Sequence, residues 1–255
     1  MKTAIIASKQ DLAGMSIASF LENEDLSRYN AKLYLVEKES IYNENIDMEI
    51  EAELFIFATK HQSSKQVHSL SCHAPGNWSI AEAGGYNKKL CIAPAVLLKN
   101  AFLKLNGLGK DSGYEITLEC THHGPLINKP AMFIEIGSNE QQWKDKKAAE
   151  IIAKTISSIL NDKNDNYKIA LGIGGTHYCS TFNKILLRTD IALGHICPKY
   201  QLQNLDKEMI EQAINKTKER VDFILLDWKG LGKEKQRIVN LLDELKLEYK
   251  RSDNL

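Results

Sequence analysis

Short apolar runs alternate with amphipathic stretches along most of the chain. The apolar runs are rich in β-branched residues and short enough for strands, while the amphipathic stretches are typical of helices. This pattern predicts strands over residues 3–8, 32–37, 53–59, 114–121, 131–137, 167–175, 190–197 and 222–228. It predicts helices over residues 12–22, 93–105, 139–160, 206–220 and 232–246. Pro94 suits the first turn of the second helix, where its missing N–H needs no partner, and Ser138 or Asn139 suits the N-cap of the third.

Strands that alternate with helices indicate an α/β protein with a mostly parallel or mixed central sheet flanked by helices. No internal repeat, low-complexity tract or long Pro/Gly linker divides the 255 residues, so we expect a single domain over residues 1–255. No apolar run approaches the roughly 18 to 20 residues that span a bilayer. The first apolar stretch is too short for a signal peptide and lacks an A-x-A-like cleavage site. We therefore expect a cytoplasmic protein without membrane contact.

The charge of the chain argues against a sequence-blind nucleic-acid binder. Lys plus Arg and Asp plus Glu both number 33, so the net charge is zero, whereas such binders carry a large basic excess. Residues 56–204 nevertheless hold 17 basic and 11 acidic side chains. This segment either presents a basic face or reflects an uneven surface composition.

The five cysteines are scattered and form no C-x-x-C pair. An odd number in a chain without a secretion signal favours reduced thiols over a disulfide framework. The same spacing gives no support for a structural zinc ribbon.

Histidines occur where several predicted strands end. Each of the following lies in the turn after such a strand or at its end: His61, His122, His123, His177 and His195. In an open α/β sheet, ligands bind in the crevice beyond the carboxyl ends of the strands. We therefore expect three or four of these turns to converge on one rim.

Glu119 and Glu135 each interrupt an otherwise apolar strand. A buried, unpaired carboxylate is costly, so such a group normally meets a metal, a cationic side chain or a network of donors. One interpretation is that at least one of them orients a histidine or binds metal. The alternative is an edge strand whose solvated face carries both carboxylates.

His73 lies in the segment SCHAPGNW, which ends in an aromatic residue. Pro75 stiffens the backbone and Gly76 permits unusual dihedral angles, as in loops that shape a pocket wall. An imidazole there suits proton transfer near neutral pH, with Asn77 beside it. The alternative is a tight turn with a solvated histidine.

A zinc site is one interpretation of the paired histidines. His122 and His123 would point to opposite sides of a strand unless the turn at Gly124–Pro125 begins there. With a third imidazole from His61 or His177 and a water, they would form a reasonable catalytic set. No H-E-x-x-H spacing occurs, so the pair alone is a weak signal.

Two further features are open to two interpretations. The glycines of GIGG (172–175) either bring backbone N–H groups close to an anion or serve only a tight turn. Lys60 either pairs with a phosphate or is simply solvated.

Six segments together resemble the archaeal and plant type of D-aminoacyl-tRNA deacylase. They are FATKHQS (57–63), LSCHAPGNW (70–78), ECTHHGP (119–125), FIEIGSNEQQW (133–143), GIGGTHY (172–178) and GHICPKY (194–200). The resemblance implies hydrolysis of the ester between a D-amino acid and the 3′ end of tRNA. It also implies Zn²⁺ as cofactor and a phosphorylase/hydrolase-like α/β fold related to bacterial peptidyl-tRNA hydrolase.

Under this hypothesis the residues take three kinds of role. The expected metal ligands are His61, Glu119, His122 and His123. The expected catalytic residues are His73 and His177, either of which acts as general base or binds substrate, and Glu135, which orients one of them. The expected substrate-binding residues are Lys60, Asn77, Gly174 and Gly175. The partner would be the acceptor end of a D-aminoacylated tRNA, and we expect a monomer without an obligate protein partner.

Two other functions stay open at this point. A hydrolase of the peptidyl-tRNA type would cleave N-blocked aminoacyl esters instead of those with a free α-amino group. A non-catalytic RNA-binding protein would need a stronger basic surplus and aromatic stacking surfaces, whereas only 7% of the residues are aromatic.

Overall fold

The strands form two sheets. The computed structural model describes residues 1–64, 66–161 and 166–255. In these ranges ten strands lie at Thr3–Ser8 (β1), Ala31–Val36 (β2), Leu54–Gln62 (β3), Ser69–His73 (β4), Glu115–Leu118 (β5), Ala131–Ser138 (β6), Lys168–Ile173 (β7), Ile191–Cys197 (β8), Phe223–Leu226 (β9) and Tyr249–Arg251 (β10). The predicted α/β class with a mixed central sheet flanked by helices is confirmed.

The larger sheet is mixed, and the smaller one is parallel. Six strands lie in the order β2-β1-β3-β6-β4-β5, and four lie in the order β10-β9-β7-β8. In the larger sheet β2, β1, β3 and β6 are parallel. Strand β4 runs antiparallel to β6, and β5 runs parallel to β4. The last two strands of the larger sheet therefore end at the opposite edge from the other four.

Seven helices lie in the described ranges. Their bounds are Leu12–Leu21 (α1), Ala95–Gly109 (α2), Glu140–Trp143 (α3), Lys146–Asn161 (α4), Ser180–Arg188 (α5), Lys207–Asn215 (α6) and Lys235–Glu244 (α7). Helix α4 packs against both α1 and α2, while α1 also contacts β3 and α2 also contacts β8. None of the described helices combines the length and apolarity needed to cross a bilayer.

Several elements differ from the pattern-based predictions. The long helix predicted over 139–160 is divided, because the Asp145 carboxylate accepts the backbone N–H of Lys147 at 2.8 Å and starts a second helix. The strand predicted over 114–121 ends at Leu118. Helix α5 was not predicted, since Cys179, which precedes it, makes no side-chain cap. Strands β4 and β10 were also missed; β4 is rich in small polar residues, and β10 has three residues.

The two sheets share apolar packing. One buried cluster contains Ile5, Ile56 and Ile134 of the larger sheet together with Leu193 and Ile196 of the smaller. The loops that connect the sheets are therefore anchored at both ends by this shared core. The polar side chains of the site lie on these loops and on β3, β4 and β6.

Candidate active site

Strands β3, β6 and β4 place polar side chains on one face of the larger sheet. Glu135 on β6 is in register with Thr59 on β3 and with Ser71 on β4. Residues in register share a face, and so do residues two apart on one strand. His61 and His73 therefore lie on the same face as Glu135. Because β4 is antiparallel to β6, His73 ends its strand beside the middle of β6.

A short segment after β5 connects the two sheets. The Glu119 N–H donates to the Cys72 carbonyl at 3.1 Å and so continues the pairing of β5 with β4. The next N–H, that of Cys120, donates to the His177 carbonyl at 2.9 Å. The backbone thus leaves the first sheet at Glu119 and meets the glycine-turn loop of the second. This brings His122 and His177 close to Glu119.

Most of these side chains line a cavity of about 500 Å³. Its lining includes residues of six connecting segments and of strands β3 and β6: Asp11, Glu39, Ser40, Ile41, Thr59, Lys60, His61, Gln62, Ser63, Ser64, Ala83, His122, His123, Glu135, His177 and Tyr178. The expected convergence of the histidine-bearing turns is confirmed for His61, His122, His123 and His177. They do not meet at one edge of one sheet, however, because the larger sheet is mixed and His177 belongs to a loop of the smaller sheet.

Glu119 contacts three imidazoles. Its Oε2 lies 2.9 Å from His177 Nε2 and 3.6 Å from His122 Nε2. Its Oε1 lies 3.4 Å from His61 Nδ1. The side chain itself is buried, and the surrounding rings replace only part of the solvation that this carboxylate loses on folding.

Glu135 forms a second centre beside the first. Its Oε2 lies 3.4 Å from His61 Nδ1 and 3.6 Å from His73 Nε2. The rings of His73 and His122 are 4.2 Å apart between centroids, and those of His122 and His123 are 4.3 Å apart. We refer to His61, His73, Glu119, His122, His123, Glu135 and His177 together as the cavity cluster.

Backbone hydrogen bonds fix the tautomer of three of these histidines. In His73, His122 and His123 the Nδ1 atom lies 2.7–3.1 Å from a nearby carbonyl oxygen. An Nδ1–H that donates to a carbonyl leaves the lone pair on Nε2, the arrangement found in metal-ligating histidines. Burial lowers the pKa of His122 well below its ordinary value and that of His123 to about 4, and neighbouring imidazoles lower both further. Both rings are therefore neutral near pH 7.

The carboxylates are ionised for a different reason. Burial alone would raise the pKa of Glu119 and Glu135, but contact with the imidazoles outweighs it, so both pKa values are lowered. Burial opposes protonation of His61 and His177 as well. The nearby Glu135 and Glu119 carboxylates nevertheless raise the pKa of His61, and contacts with Cys120 and Glu119 raise that of His177 to about 10. Two negative charges are thus balanced by protons that a cation can replace.

Three atoms of the cavity cluster are buried without a hydrogen-bond partner among the described residues. They are His73 Nε2, Glu119 Oε1 and Glu135 Oε2. Buried polar atoms are nearly always satisfied, so such atoms require an explanation. An imidazole lone pair and carboxylate oxygens are all donors to a divalent metal. The residues present therefore fit a bound cation.

The donor atoms form overlapping groups that are compact enough for an ion. One group consists of His61, Glu119, His122 and His177, a second of His73, His122 and His123, and a third of His73, Glu119 and Glu135. Within each group the donor atoms lie within 4.8 Å of one another. The first group shares three members with the expected ligand set and contains His177 in place of His123.

Of the expected substrate-binding residues, Lys60 lines the cavity and Asn77 does not. The Lys60 Nζ lies 2.6 Å from Glu39 Oε1. Asn77 is buried and donates from Nδ2 to the Gly84 carbonyl at 3.0 Å. It thereby holds the loop that supplies Ala83 to the cavity.

The two glycines of the expected substrate site lie in a tight turn. The Gly174 N–H donates to the Cys197 carbonyl at 2.8 Å, and the backbone of both glycines packs against Asp227. Their φ angles are +102° and +85°, a conformation that favours glycine. Neither lines the cavity, so their role in binding stays a prediction.

Some site residues carry no signal that sequence reasoning used. Tyr178 Oη lies 3.2 Å from His61 Nε2, and Tyr200 Oη lies 3.2 Å from His177 Nδ1. Asp11 caps α1 and also accepts hydrogen bonds from the Thr59 hydroxyl and the Lys60 N–H. The two tyrosines occur at the ends of the segments GTHY and CPKY, close in sequence to histidine and proline residues. This proximity is the only sequence feature that indicates them.

One glycine is required beside His61. A Cβ on Gly137 would overlap Ser69 Oγ and would lie 2.9 Å from His61 Cδ2. The close approach of β3 and β4 to β6 at this position leaves no room for a side chain. Gly137 therefore sets the position of the His61 ring.

Imidazoles, ionised carboxylates and unsatisfied buried polar atoms around one cavity are typical of enzymes that activate water for hydrolysis. Comparison with known proteins narrows this class. A sequence profile described as D-aminoacyl-tRNA deacylase matches residues 48–250. The chain belongs to the D-aminoacyl-tRNA deacylase family.

Individual relatives agree with the family assignment. The D-aminoacyl-tRNA deacylase of Thermococcus kodakarensis is 39% identical over 268 residues, covering 96% of this chain and 98% of that protein. That of Pyrococcus furiosus is 42% identical over 220 residues, covering 83% and 80%. A crystal structure of a conserved protein of unknown function has a TM-score of 0.91 and 28% identity, covering 99% of this chain and 96% of that one.

Proposed function

We propose that this chain hydrolyses the ester bond of D-aminoacyl-tRNA and releases the free D-amino acid and the tRNA. The observation that carries the proposal is the cavity cluster, in which three strands and two loops bring five imidazoles and two carboxylates together beside one cavity, and five of these seven side chains line it. Ester hydrolysis needs a water that loses a proton as it attacks, and this set of groups is suited to that chemistry. Membership of the deacylase family supplies the substrate class.

We propose Zn²⁺ as the cofactor. His61, Glu119, His122 and His177 would hold it, since their donor atoms lie within 4.8 Å of one another and His122 is held neutral. A bound zinc ion lowers the pKa of a bound water to about 7 and polarises a carbonyl oxygen. Glu119 contacts all three imidazoles of this group and so orients them toward one point.

His73 and Glu135 form the proton-transfer pair in this proposal. His73 Nδ1 is held on the Ala74 carbonyl, so its Nε2 has the lone pair that accepts the proton of the attacking water. The imidazolium that results is stabilised by Glu135 Oε2, 3.6 Å away. The proton then passes to the ribose oxygen of the departing tRNA, which leaves His73 neutral again.

The remaining expectations follow from this substrate. Lys60 would contact a phosphate at the mouth of the cavity, in exchange for part of its pairing with Glu39. Asn77 would act through the loop that it holds, and Gly174 and Gly175 would contact the substrate only at the edge of the site. We propose that residues 1–255 act as one domain, as a cytoplasmic monomer without an obligate protein partner.

The direct test compares D-tyrosyl-tRNA, L-tyrosyl-tRNA and N-acetyl-D-tyrosyl-tRNA as substrates. We expect release of tyrosine from the D-ester, and at least about tenfold slower release from the L-ester. Preferential cleavage of the N-acetyl ester would favour the hydrolase of the peptidyl-tRNA type. Binding of tRNA without cleavage of any ester would favour a non-catalytic RNA-binding protein.

The cofactor is tested separately. Incubation with a chelator should remove most of the activity, and stoichiometric Zn²⁺ should restore it. A protein that is free of metal by elemental analysis and fully active would contradict the zinc proposal, while leaving the substrate assignment intact.

A further inference from the structure

Exposed tyrosines are concentrated around the cavity. The chain has nine tyrosines, and three of them are exposed: Tyr42 at 48%, Tyr86 at 52% and Tyr200 at 50%. Tyr42 and Tyr86 lie close in sequence to the lining residues Ile41 and Ala83, and Tyr200 contacts His177, which also lines the cavity. Large aromatic side chains normally lose most of their exposed surface on folding, so three exposed rings beside one cavity require an explanation.

The first two tyrosines belong to loops that contact each other. Tyr42 follows Ile41, which lines the cavity, and Tyr86 comes three residues after Ala83, which also lines it. The loops approach so closely that a Cβ on Gly84 would overlap the Ile41 carbonyl oxygen. Glu44 also joins them, because its Oε1 accepts the Gly85 N–H at 2.6 Å. The two ring-bearing segments therefore form one wall.

The third tyrosine lies beside His177. Tyr200 Oη is 3.2 Å from Nδ1 of His177, which lines the cavity. The backbone beside it is fixed, since the Lys199 N–H donates to the Gly175 carbonyl at 2.9 Å. The residue nevertheless stays half exposed. Tyr42, Tyr86 and Tyr200 together are called the tyrosine rim below.

Cations accompany two of the three rings. Lys89 and Lys199 are exposed, and neither has an ion-pair partner among the described residues. Lys88, in contrast, is paired with Asp206 at 2.7 Å. A polyanion that ran along the rim would find unpaired positive charge beside Tyr86 and Tyr200.

We propose that the tyrosine rim binds the unpaired nucleotides at the 3′ end of tRNA by stacking on their bases. This inference rests on the proposed function, because an ester in the cavity places the terminal ribose at the cavity and the adjoining bases at its mouth. Unpaired RNA bases stack on aromatic side chains without regard to sequence, while lysines contact the phosphates. The rim residues adjoin residues that line the cavity, and the positive charge of Lys89 and Lys199 is opposite to that of the RNA backbone.

The experiment uses the full chain and two RNA hairpins. One hairpin has an acceptor stem with an unpaired CCA end, and the other lacks those three nucleotides. Tyr42→Ala and Tyr86→Ala should each weaken binding of the first hairpin by about 5- to 150-fold, as measured by fluorescence anisotropy. Binding of the truncated hairpin should be unchanged. Tyr42→Phe and Tyr86→Phe should bind like the unmodified chain, because the stacking face is retained.

Controls separate stacking from unfolding and from general electrostatics. Leu108→Ala removes a side chain that is also exposed, at 44%, but at the end of α2, and should change neither Kd. Lys89→Ala should reduce the dependence of log Kd on log salt by about 0.7 per lost phosphate contact, while the tyrosine variants leave it unchanged. Equal losses for both hairpins, or no loss with the alanine variants, would overturn the proposal.

The outcome is distinguishable from failure of the proposed function. A chain that hydrolyses D-tyrosyl-tRNA, with alanine variants that bind the CCA hairpin normally, would refute the tyrosine rim alone. A chain that binds the CCA hairpin through the rim and hydrolyses no D-ester would refute the function and leave the rim in place.

Discussion

Two regions of this molecule bury histidine, and they do so in opposite ways. His195 on β8 is inaccessible, and its Nδ1 accepts from the Thr121 hydroxyl at 3.1 Å. Its Nε2–H lies 3.0 Å from the Cys91 carbonyl and 3.2 Å from that of Lys216. Both ring nitrogens are thus used by the protein itself. In the cavity cluster, by contrast, His73 Nε2 and two carboxylate oxygens have no such partner within residues 1–64, 66–161 and 166–255.

The difference shows which buried histidines are structural. The hydrogen bonds of His195 tie β8 to three other segments, and nothing in that network is left for a ligand. The unsatisfied atoms of the cavity cluster cost free energy in the folded chain unless something binds there. His73 and His195 are both histidines that are almost completely buried, so satisfaction of the polar atoms is the property that separates them.

The largest effect should come from His73→Ala. Removal of the proposed general base should lower kcat for D-tyrosyl-tRNA by about 10²- to 10⁴-fold. His68→Ala is the matched control, because His68 lies outside the cavity and contacts Gln142. If single-turnover rates of the two variants are similar, His73 has no catalytic role.

His195→Ala should have the reverse profile. The substitution leaves a void and removes the partner of two buried carbonyls, so the free energy of unfolding should fall by about 2–4 kcal/mol. Turnover by the folded fraction, measured below the melting transition, should stay within about threefold. Urea titration gives the first quantity, and loss of activity without loss of stability would remove the distinction between the two regions.

The same histidine predicts a pH dependence of stability. Burial lowers the pKa of His195 to about 4, whereas the unfolded chain takes up the proton near the ordinary value of about 6.5. The contribution of the neutral His195 ring to the free energy of unfolding is therefore complete above pH 6.5 and is lost as the pH falls toward 4. His195→Gln keeps a donor for the carbonyls but cannot titrate.

The free energy of unfolding of the unmodified chain should thus fall more steeply with acid than that of His195→Gln. The difference in slope should reach at most about 1.4 kcal/mol per pH unit between pH 6 and 4.5. Urea titrations at several pH values measure it. Parallel curves for the two proteins would show that His195 is protonated normally in the folded chain.

Gly137→Ala is expected to have the smallest effect, and it should lower both the stability and the activity. The new methyl group must displace Ser69 Oγ and the His61 ring, which should cost about 1–3 kcal/mol of stability and lower kcat/KM about tenfold. Adding Ser69→Ala should restore part of the stability and none of the activity, since the contact with His61 remains. Full recovery of activity in the double variant would show that His61 needs no exact position.

The sequence was sufficient to predict part of this site. His61, His122, His123 and His177 follow apolar runs, and Glu119 and Glu135 interrupt them, so their chemistry was visible in the local pattern. The break between α3 and α4 depends on one capping residue, and the early end of β5 depends on backbone pairing with a loop of the second sheet. The periodicity of apolar residues predicts neither feature. Tertiary pairing also decides that β4 is antiparallel.

The less predictable residues depend on contacts between distant segments. His195 has the same local pattern as His177, and only its three hydrogen-bond partners, at positions 91, 121 and 216, reveal a structural role. Tyr178 belongs to the site because it contacts His61, and Tyr200 belongs to it because it contacts His177. Asn77 and Gly174 stand in motif-like segments, yet they contact loop backbone and not the cavity.

The central claim is that the carboxylates of the cavity cluster organise a hydrolytic site. The most direct measurement compares the rate of D-tyrosyl-tRNA hydrolysis by Glu119→Gln with that of Glu115→Gln, an exposed residue four positions earlier. We expect the first variant to lose at least about 10²-fold in rate and the second to match the unmodified chain. A Glu119→Gln protein that hydrolyses the ester at the rate of the unmodified chain would contradict the account.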